Sequence, residues 1–205
     1  MTAAKNPATK KVAEVVAPSD KKHIGNLRIE SKADAKRYAD VTEVTGYLDI
    51  SADASLPVLT TVGGSLYISA DASLPVLTTV GSYLDISADA SLPVLTTVGG
   101  YLDISADASL PVLTTVGSYL DISDENIELP ALEIAHGVKG RLLAIHKHGL
   151  WLSDDYKYYA GCKGPMTKNK AIALSKVYED QETAQIFIKA ILADEESRAE
   201  SVIES

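Results

Sequence analysis

Apolar residues recur along the middle of the chain on two periods at once. Over short stretches such as Tyr47-Leu48-Asp49-Ile50-Ser51 they alternate with polar ones, the period of a strand buried on one face. Over longer distances the whole pattern returns every 18 residues. Leucine stands at Leu48, Leu66, Leu84, Leu102 and Leu120, and isoleucine follows two positions later at Ile50, Ile68, Ile86, Ile104 and Ile122. Leu56-Pro57 returns as Leu74-Pro75, Leu92-Pro93 and Leu110-Pro111, and the series ends in a looser copy, Leu129-Pro130, with a one-residue slip. One such unit cannot bury its apolar side. Stacked units can, each adding Leu48, Ile50, Leu56, Leu59 and Val62 or their equivalents to a continuous core. The predicted fold class is mainly β: a parallel β-solenoid of leucine-rich coils stacked about 4.8 Å apart, with a small α+β C-terminal domain. Gly63, Gly81, Gly99 and Gly117 are expected where the backbone turns, and the prolines at corners where a missing N–H breaks no ladder bond.

A worn copy precedes the series. Leu27-Arg28-Ile29 matches Leu48-Asp49-Ile50, Ala33-Asp34-Ala35 matches Ala52-Asp53-Ala54 at a spacing two residues too long, and Val41-Thr42-Glu43-Val44 matches Leu59-Thr60-Thr61-Val62. A polar, degenerate coil is what a terminal cap requires. The domain organisation that follows is a basic, mobile tail over residues 1–26, the solenoid with its cap over 27–135, and an α+β module over 136–205. In that module, 141–146 and 150–152 read as strands, Ser153-Asp154-Asp155 as a turn, and 156–160 as a third strand. Gly161-Cys162-Lys163-Gly164-Pro165 reads as a break. Thr167 can cap a helix over 168–177, and Asp180 one over 181–195 with Ala184, Phe187, Ile188, Ile191 and Leu192 on one face.

The Leu-Pro-x-Leu-x-x-Val-Gly-x-x-Leu-x-Ile-x-x-Asp pattern of residues 44–135 resembles the coils of receptor L domains and related bacterial leucine-rich solenoids. The resemblance implies architecture and no particular ligand, because such solenoids bind many unrelated partners. The 18-residue period is short for the family, and Asp stands where many leucine-rich repeats carry Asn. The stretch from Leu150-Trp151-Leu152 through Gly161-Cys162-Lys163-Gly164-Pro165 to Thr167, with the helical segments after it, resembles small C-terminal modules on phage and prophage repeat proteins. That resemblance carries no activity with it.

Charge divides along the same boundaries. Residues 1–37 hold nine Lys/Arg and four Asp/Glu, 38–138 hold no Lys or Arg and fourteen Asp/Glu, and 139–205 hold ten of each sign. The net charge of -9 argues against a protein that grips nucleic-acid phosphates directly. A single cysteine builds no disulfide framework, and neither a secretory leader nor an apolar run of membrane length is evident. The expectation is a cytoplasmic protein of a bacterium or of a phage-infected host, without membrane contact.

Alternation turns Leu and Ile inward and leaves a grid outside. The expected partner-binding face is Tyr47, Asp49, Tyr67, Tyr83, Asp85, Tyr101, Asp103, Tyr119 and Asp121. In its second row Tyr67 takes the Asp position and Ser65 the Tyr position. A second acidic column is Asp53, Asp71, Asp89 and Asp107, followed by Asn126. One reading makes these columns solubilising charges and turn-bonding Asx residues. The other makes the Tyr/Asp face a surface for a basic protein, in its sharpest form a mimic of nucleic acid. Stacked pairs such as Thr60-Thr61 and Thr78-Thr79 suit strands by packing alone, which weighs against ice binding. The carboxylate columns lack the glycine-rich pattern of calcium repeats. Cys162, with His146 or His148 as base, is a weaker enzymatic candidate, and the two histidines on one side of a strand lack further metal ligands. The reading is therefore a non-enzymatic binding protein with no catalytic residues, metal or cofactor. A structural spacer is the alternative, and self-association through the C-terminal module a further option.

Overall fold

The computed structural model describes residues 20–123, 127–146, 148–160, 163–177 and 181–203. Its middle is a parallel β-solenoid of about six turns. A full coil contributes three short strands, for example Thr61–Val62, Leu66–Ile68 and Ala72–Ser73. Like strands of successive coils pair in parallel and in register at 18 residues: Thr61 with Thr79, Leu66 with Leu84, Ala72 with Ala90. Three sheets result. A Leu-x-Ile sheet has six strands, an Ala-Ser sheet has four, and a Thr-Val sheet runs on into the C-terminal module to reach eleven. Leu66, Ile68, Leu74, Leu77 and Val80 of one coil are fully buried, and the neighbouring coils repeat them. The prolines stand in turns at corners: Leu59 N–H donates to the Leu56 carbonyl across Pro57-Val58, the place in a turn where a fixed φ helps.

The glycine column stands at bends, as expected, but the turn itself is not what requires glycine. None of Gly63, Gly81, Gly99 and Gly117 has a positive φ. A Cβ on Gly63 would stand 2.6 Å from the Thr45 carbonyl oxygen, and on Gly81, Gly99 or Gly117 it would overlap the carbonyl oxygen of the glycine one coil earlier. Close stacking of backbones excludes the side chain. Hydroxyls tie the coils further: Thr60, Thr78, Thr96 and Thr114 donate Oγ1–H to the carbonyls of Thr42, Thr60, Thr78 and Thr96 at 2.9–3.1 Å. Ser69 and Ser87 do the same to Ile50 and Ile68 at 3.2 Å.

The first coil is built as its degenerate sequence suggests, with one substitution of element. Lys22–His23 pairs with Glu43–Val44, and Leu27–Ile29 pairs with Leu48–Ile50 in the register Leu27 to Leu48. Regular structure thus starts inside the range read as tail, whose residues 1–19 lie outside the described residues. The extra residues form helix α1, Lys32–Arg37, where later coils place an Ala-Ser strand. Ser31 caps it, its Oγ accepting from Asp34 N–H at 3.2 Å and donating to Asp34 Oδ2 at 2.7 Å.

At the other end, Ile134–Ala135 is the last parallel strand. His136 (φ 55) and Gly137 (φ 69) are both left-handed, the geometry of a two-residue hairpin turn, and the chain returns antiparallel as Val138–His146. His148–Ser153, Tyr158–Ala160 and Lys163–Met166 complete an antiparallel extension of the same sheet. Helices α2 (Lys168–Ser175) and α3 (Gln181–Ile203) pack on it. One strand serves two cores. Leu150 and Leu152 join Tyr158, Met166, Phe187 and Ile191, while Trp151 between them is fully buried in the solenoid core. Gly149 stands against Leu120, so the module closes the end of the solenoid.

Several expectations for this module need correction. Ser153 remains in its strand, and the third strand starts at Tyr158, because Ser153 Oγ accepts from Lys157 N–H at 3.0 Å and holds the turn later. Lys163–Met166 is a strand rather than a break, paired with Tyr158–Ala160. Helix α2 stops at Ser175, and α3 runs on to Ile203 through residues that favour helix. Its buried residues are Thr183, Ala184, Phe187, Ile191 and Asp194, while Ile188 is half-buried and Leu192 is exposed. Asp194 is held by Arg141 and, at 2.7 Å, by Arg198. Asp180, read as the cap, lies outside the described residues.

Candidate recognition face

The outer side of the Leu-x-Ile sheet carries the grid. Register places Arg28, Asp49, Tyr67, Asp85, Asp103 and Asp121 in one column across the six coils. Beside it run Tyr47, Tyr83, Tyr101 and Tyr119. The exchange in the second row breaks the carboxylate column without breaking the aromatic one. Tyr67, though in the Asp column, reaches both neighbours, with ring centroids 6.4 Å from Tyr47 and 5.7 Å from Tyr83. Tyr83 to Tyr101 is 5.9 Å and Tyr101 to Tyr119 is 4.8 Å. The ladder then leaves the repeats. His136 lies 6.2 Å from Tyr119 and stacks on Tyr159 at 4.8 Å. At the opposite end the Arg28 guanidinium lies 6.0 Å from the Tyr47 ring. A continuous line of π-faces and edges therefore runs the length of the rod.

Electrostatics differ along this line. At its head, Arg28 Nε is 3.7 Å from Asp49 Oδ2, so the first carboxylate is met by a cation of the cap. Lys22–Glu43 at 2.7 Å and Lys21–Asp40 at 2.8 Å repeat the theme at the same end. Farther along, Asp85, Asp103 and Asp121 follow one another at about the 4.8 Å coil rise, where like charges repel. Tyr67 separates Asp49 from this run, and the Tyr83 hydroxyl donates to Asp103 Oδ2 at 3.2 Å and Asp85 Oδ2 at 3.4 Å. Partial burial first, and these carboxylates second, push the Tyr83 phenol above its ordinary range, which keeps it a donor. Burial lowers His136 to about 4, leaving a neutral ring at pH 7. Tyr83, Tyr101, Tyr119, Asp103 and Asp121 line an open cleft of about 520 Å³.

The second column, Asp53, Asp71, Asp89 and Asp107, borders a shallow groove of about 790 Å³ floored by Ala54, Ala72, Ala90 and Ala108. Lys32 Nζ sits 3.2 Å from Asp53 at its head. The backbone carbonyls of Asp71, Asp89 and Asp107 accept from Ala54, Ala72 and Ala90 at 3.0 Å. Among the described residues the Asp71 and Asp89 side chains make no Asx bond to a turn, so that role is not theirs. Asn126 lies outside the described residues. The threonine ladder spends its Thr60, Thr78, Thr96 and Thr114 hydroxyls on backbone carbonyls of the preceding coil.

His146 and His148 stand on two paired strands and not on one, opposite each other across the hairpin. Their side chains, and Cys162, lie outside the described residues. Among the described residues no group of three or more His, Cys, Asp or Glu could hold a metal, and no helix is long and apolar enough to cross a membrane.

Three members of the ladder escaped the sequence reading. Arg28 was legible in principle, since it follows Leu27 as Asp49 follows Leu48. His136 and Tyr159 reach the face only because the chain reverses after the last coil, and no periodicity marks them. No family model matches the chain, and no curated protein or solved structure matches it either. What fold and face define is a class: a parallel β-solenoid repeat protein, capped by a small module with two helices and bearing an aromatic ladder beside a carboxylate column.

Proposed function

We propose that the protein is a non-enzymatic recognition rod that binds a basic protein through the Tyr/Asp face of its Leu-x-Ile sheet. The observation that carries this is the unbroken ring ladder from Tyr47 to Tyr159 lying beside Asp85, Asp103 and Asp121. Residues 38–138 contain no Lys or Arg. Tyrosines bury large area at low entropic cost, and a carboxylate row steers a partner of opposite charge and sets its register. The resemblance of the C-terminal stretch to phage and prophage modules favours a phage setting, in which the rod blocks a cytoplasmic host protein of defence or nucleic-acid-binding type.

The test compares captures from bacterial lysate by the intact protein and by the Asp49/Asp85/Asp103/Asp121→Asn variant, read by mass spectrometry. A partner held only by the acidic form, and released by salt, is the expected result. A captured nucleic-acid-binding protein makes the rod a mimic. Identical captures overturn the assignment of this face.

A second reading, a structural spacer, has its own support. Columns of the repeat bond coil to coil, tyrosines ring to ring and threonines hydroxyl to carbonyl, and so stiffen the rod without any partner. A spacer tolerates loss of a coil and neutralisation of its surface; a recognition face does not.

A further inference from the structure

We propose that the cleft lined by Tyr101 and Tyr119, and walled by Asp103 and Asp121, is a seat for an arginine side chain of the partner. The inference rests on the recognition reading and names the chemistry of one contact within it.

The chain already holds such a seat, filled by its own residue. At the head of the same two columns, Arg28 lies 6.0 Å from the Tyr47 ring and 3.7 Å from Asp49 Oδ2. Tyr101 with Asp103, and Tyr119 with Asp121, are the same pair three and four coils on. The column thus shows which cation fits its geometry: one flat enough to lie over a ring while its edge faces a carboxylate.

The rings are also set differently here. Along Tyr47, Tyr67, Tyr83 and Tyr101 successive planes cross at 73–83°, so each ring presents an edge to its neighbour's face. Tyr101 and Tyr119 are tilted by only 37°, and they are 45% and 40% exposed. Their centroids are 4.8 Å apart, so the surfaces open to an incoming group are those the exposed rings turn to the cleft of about 520 Å³ beside them, which has ample room for one guanidinium. A guanidinium is planar, weakly hydrated, stacks on aromatic faces and meets a carboxylate through two donors. An ammonium is a strongly hydrated point charge and gains only the Coulombic part.

The experiment titrates the full-length protein with an oligoarginine and an oligolysine of equal length and charge, by calorimetry at two salt concentrations. The arginine peptide is expected to bind roughly tenfold more tightly. Tyr101→Leu combined with Tyr119→Leu should abolish that preference, and Tyr101→Phe combined with Tyr119→Phe should keep it, which separates loss of the ring from loss of the fold. Equal affinities for the two peptides, or a preference that survives both leucine substitutions, overturn the arginine seat. The Asp49/Asp85/Asp103/Asp121→Asn variant tells the two levels apart. If it loses both peptides, the acidic face stands whatever the cleft does. If it binds both unchanged, the recognition reading falls with the seat.

Discussion

Gly99 shows how stacking selects a residue. Its backbone lies against the Gly81 carbonyl one coil earlier, where a Cβ overlaps the oxygen. The neighbouring Gly100 is less confined, with a Cβ 3.0 Å from Ser82, and its column carries serine in two coils, at Ser82 and Ser118. Gly99→Ala is expected to cost about 1–3 kcal/mol, and Gly100→Ala clearly less, both read by urea unfolding. His136 is special in charge. Burial holds its folded pKa near 4, while an unfolded histidine titrates near 6.5. Between those values the unfolded chain binds the extra proton, so the stabilising contribution is complete above about 6.5 and is lost as pH falls toward 4. Partial exposure trims the effect to roughly 1–2 kcal/mol. The comparison is of unfolding at about pH 7.5 and pH 4.5 for the native chain and His136→Asn, since asparagine accepts the left-handed backbone. The variant should lack this part of the acid loss.

At the scale of elements, each strand is too short to stand alone, and the ladders supply what length does not. Thr96 Oγ1 and the Thr96 and Thr97 amides all converge on the Thr78 carbonyl, so one acceptor anchors three donors of the next coil. The strand His148–Ser153 has a different task. Its alternation sends Leu150 and Leu152 to the helices and Trp151 into the solenoid. Trp151→Ala should cost about 3–5 kcal/mol by emptying the end of the core. Hydrogen exchange should then rise first in Leu120–Ile122, the strand nearest the cap, before the central coils.

The whole molecule has a polarity along its axis. Lys21, Lys22, Arg28 and Lys32 meet the acidic residues of the first coils, and after Arg37 no Lys or Arg follows until residue 139. Because each coil contacts only its neighbours, deleting residues 82–99 should leave the register intact and yield a folded rod shorter by about 4.8 Å. Small-angle scattering and circular dichroism check the fold. Binding decides between the two functional readings: an affinity lost with the coil and its Tyr83 and Asp85 belongs to recognition, and an unchanged one to a spacer.

The 18-residue period, the inward Leu and Ile, the proline corners and the outward Tyr and Asp were all legible in the sequence, because a repeat that buries one side admits few arrangements. Register is forced the same way: a slip of one residue would turn Leu48 and Ile50 outward. The reason for the glycines was not legible, since a close approach between coils leaves the same mark as a turn. Nor was α1 in place of a strand, nor the passage of the Thr-Val sheet into the C-terminal strands, nor the burial of Trp151 in the solenoid rather than its own module. These depend on contacts between segments that share no period. The ring ladder lies between the two cases. Its tyrosines are written in the repeat, and its continuity across Tyr67 and out to His136 and Tyr159 arises only when the coils are stacked and the chain turns back on them.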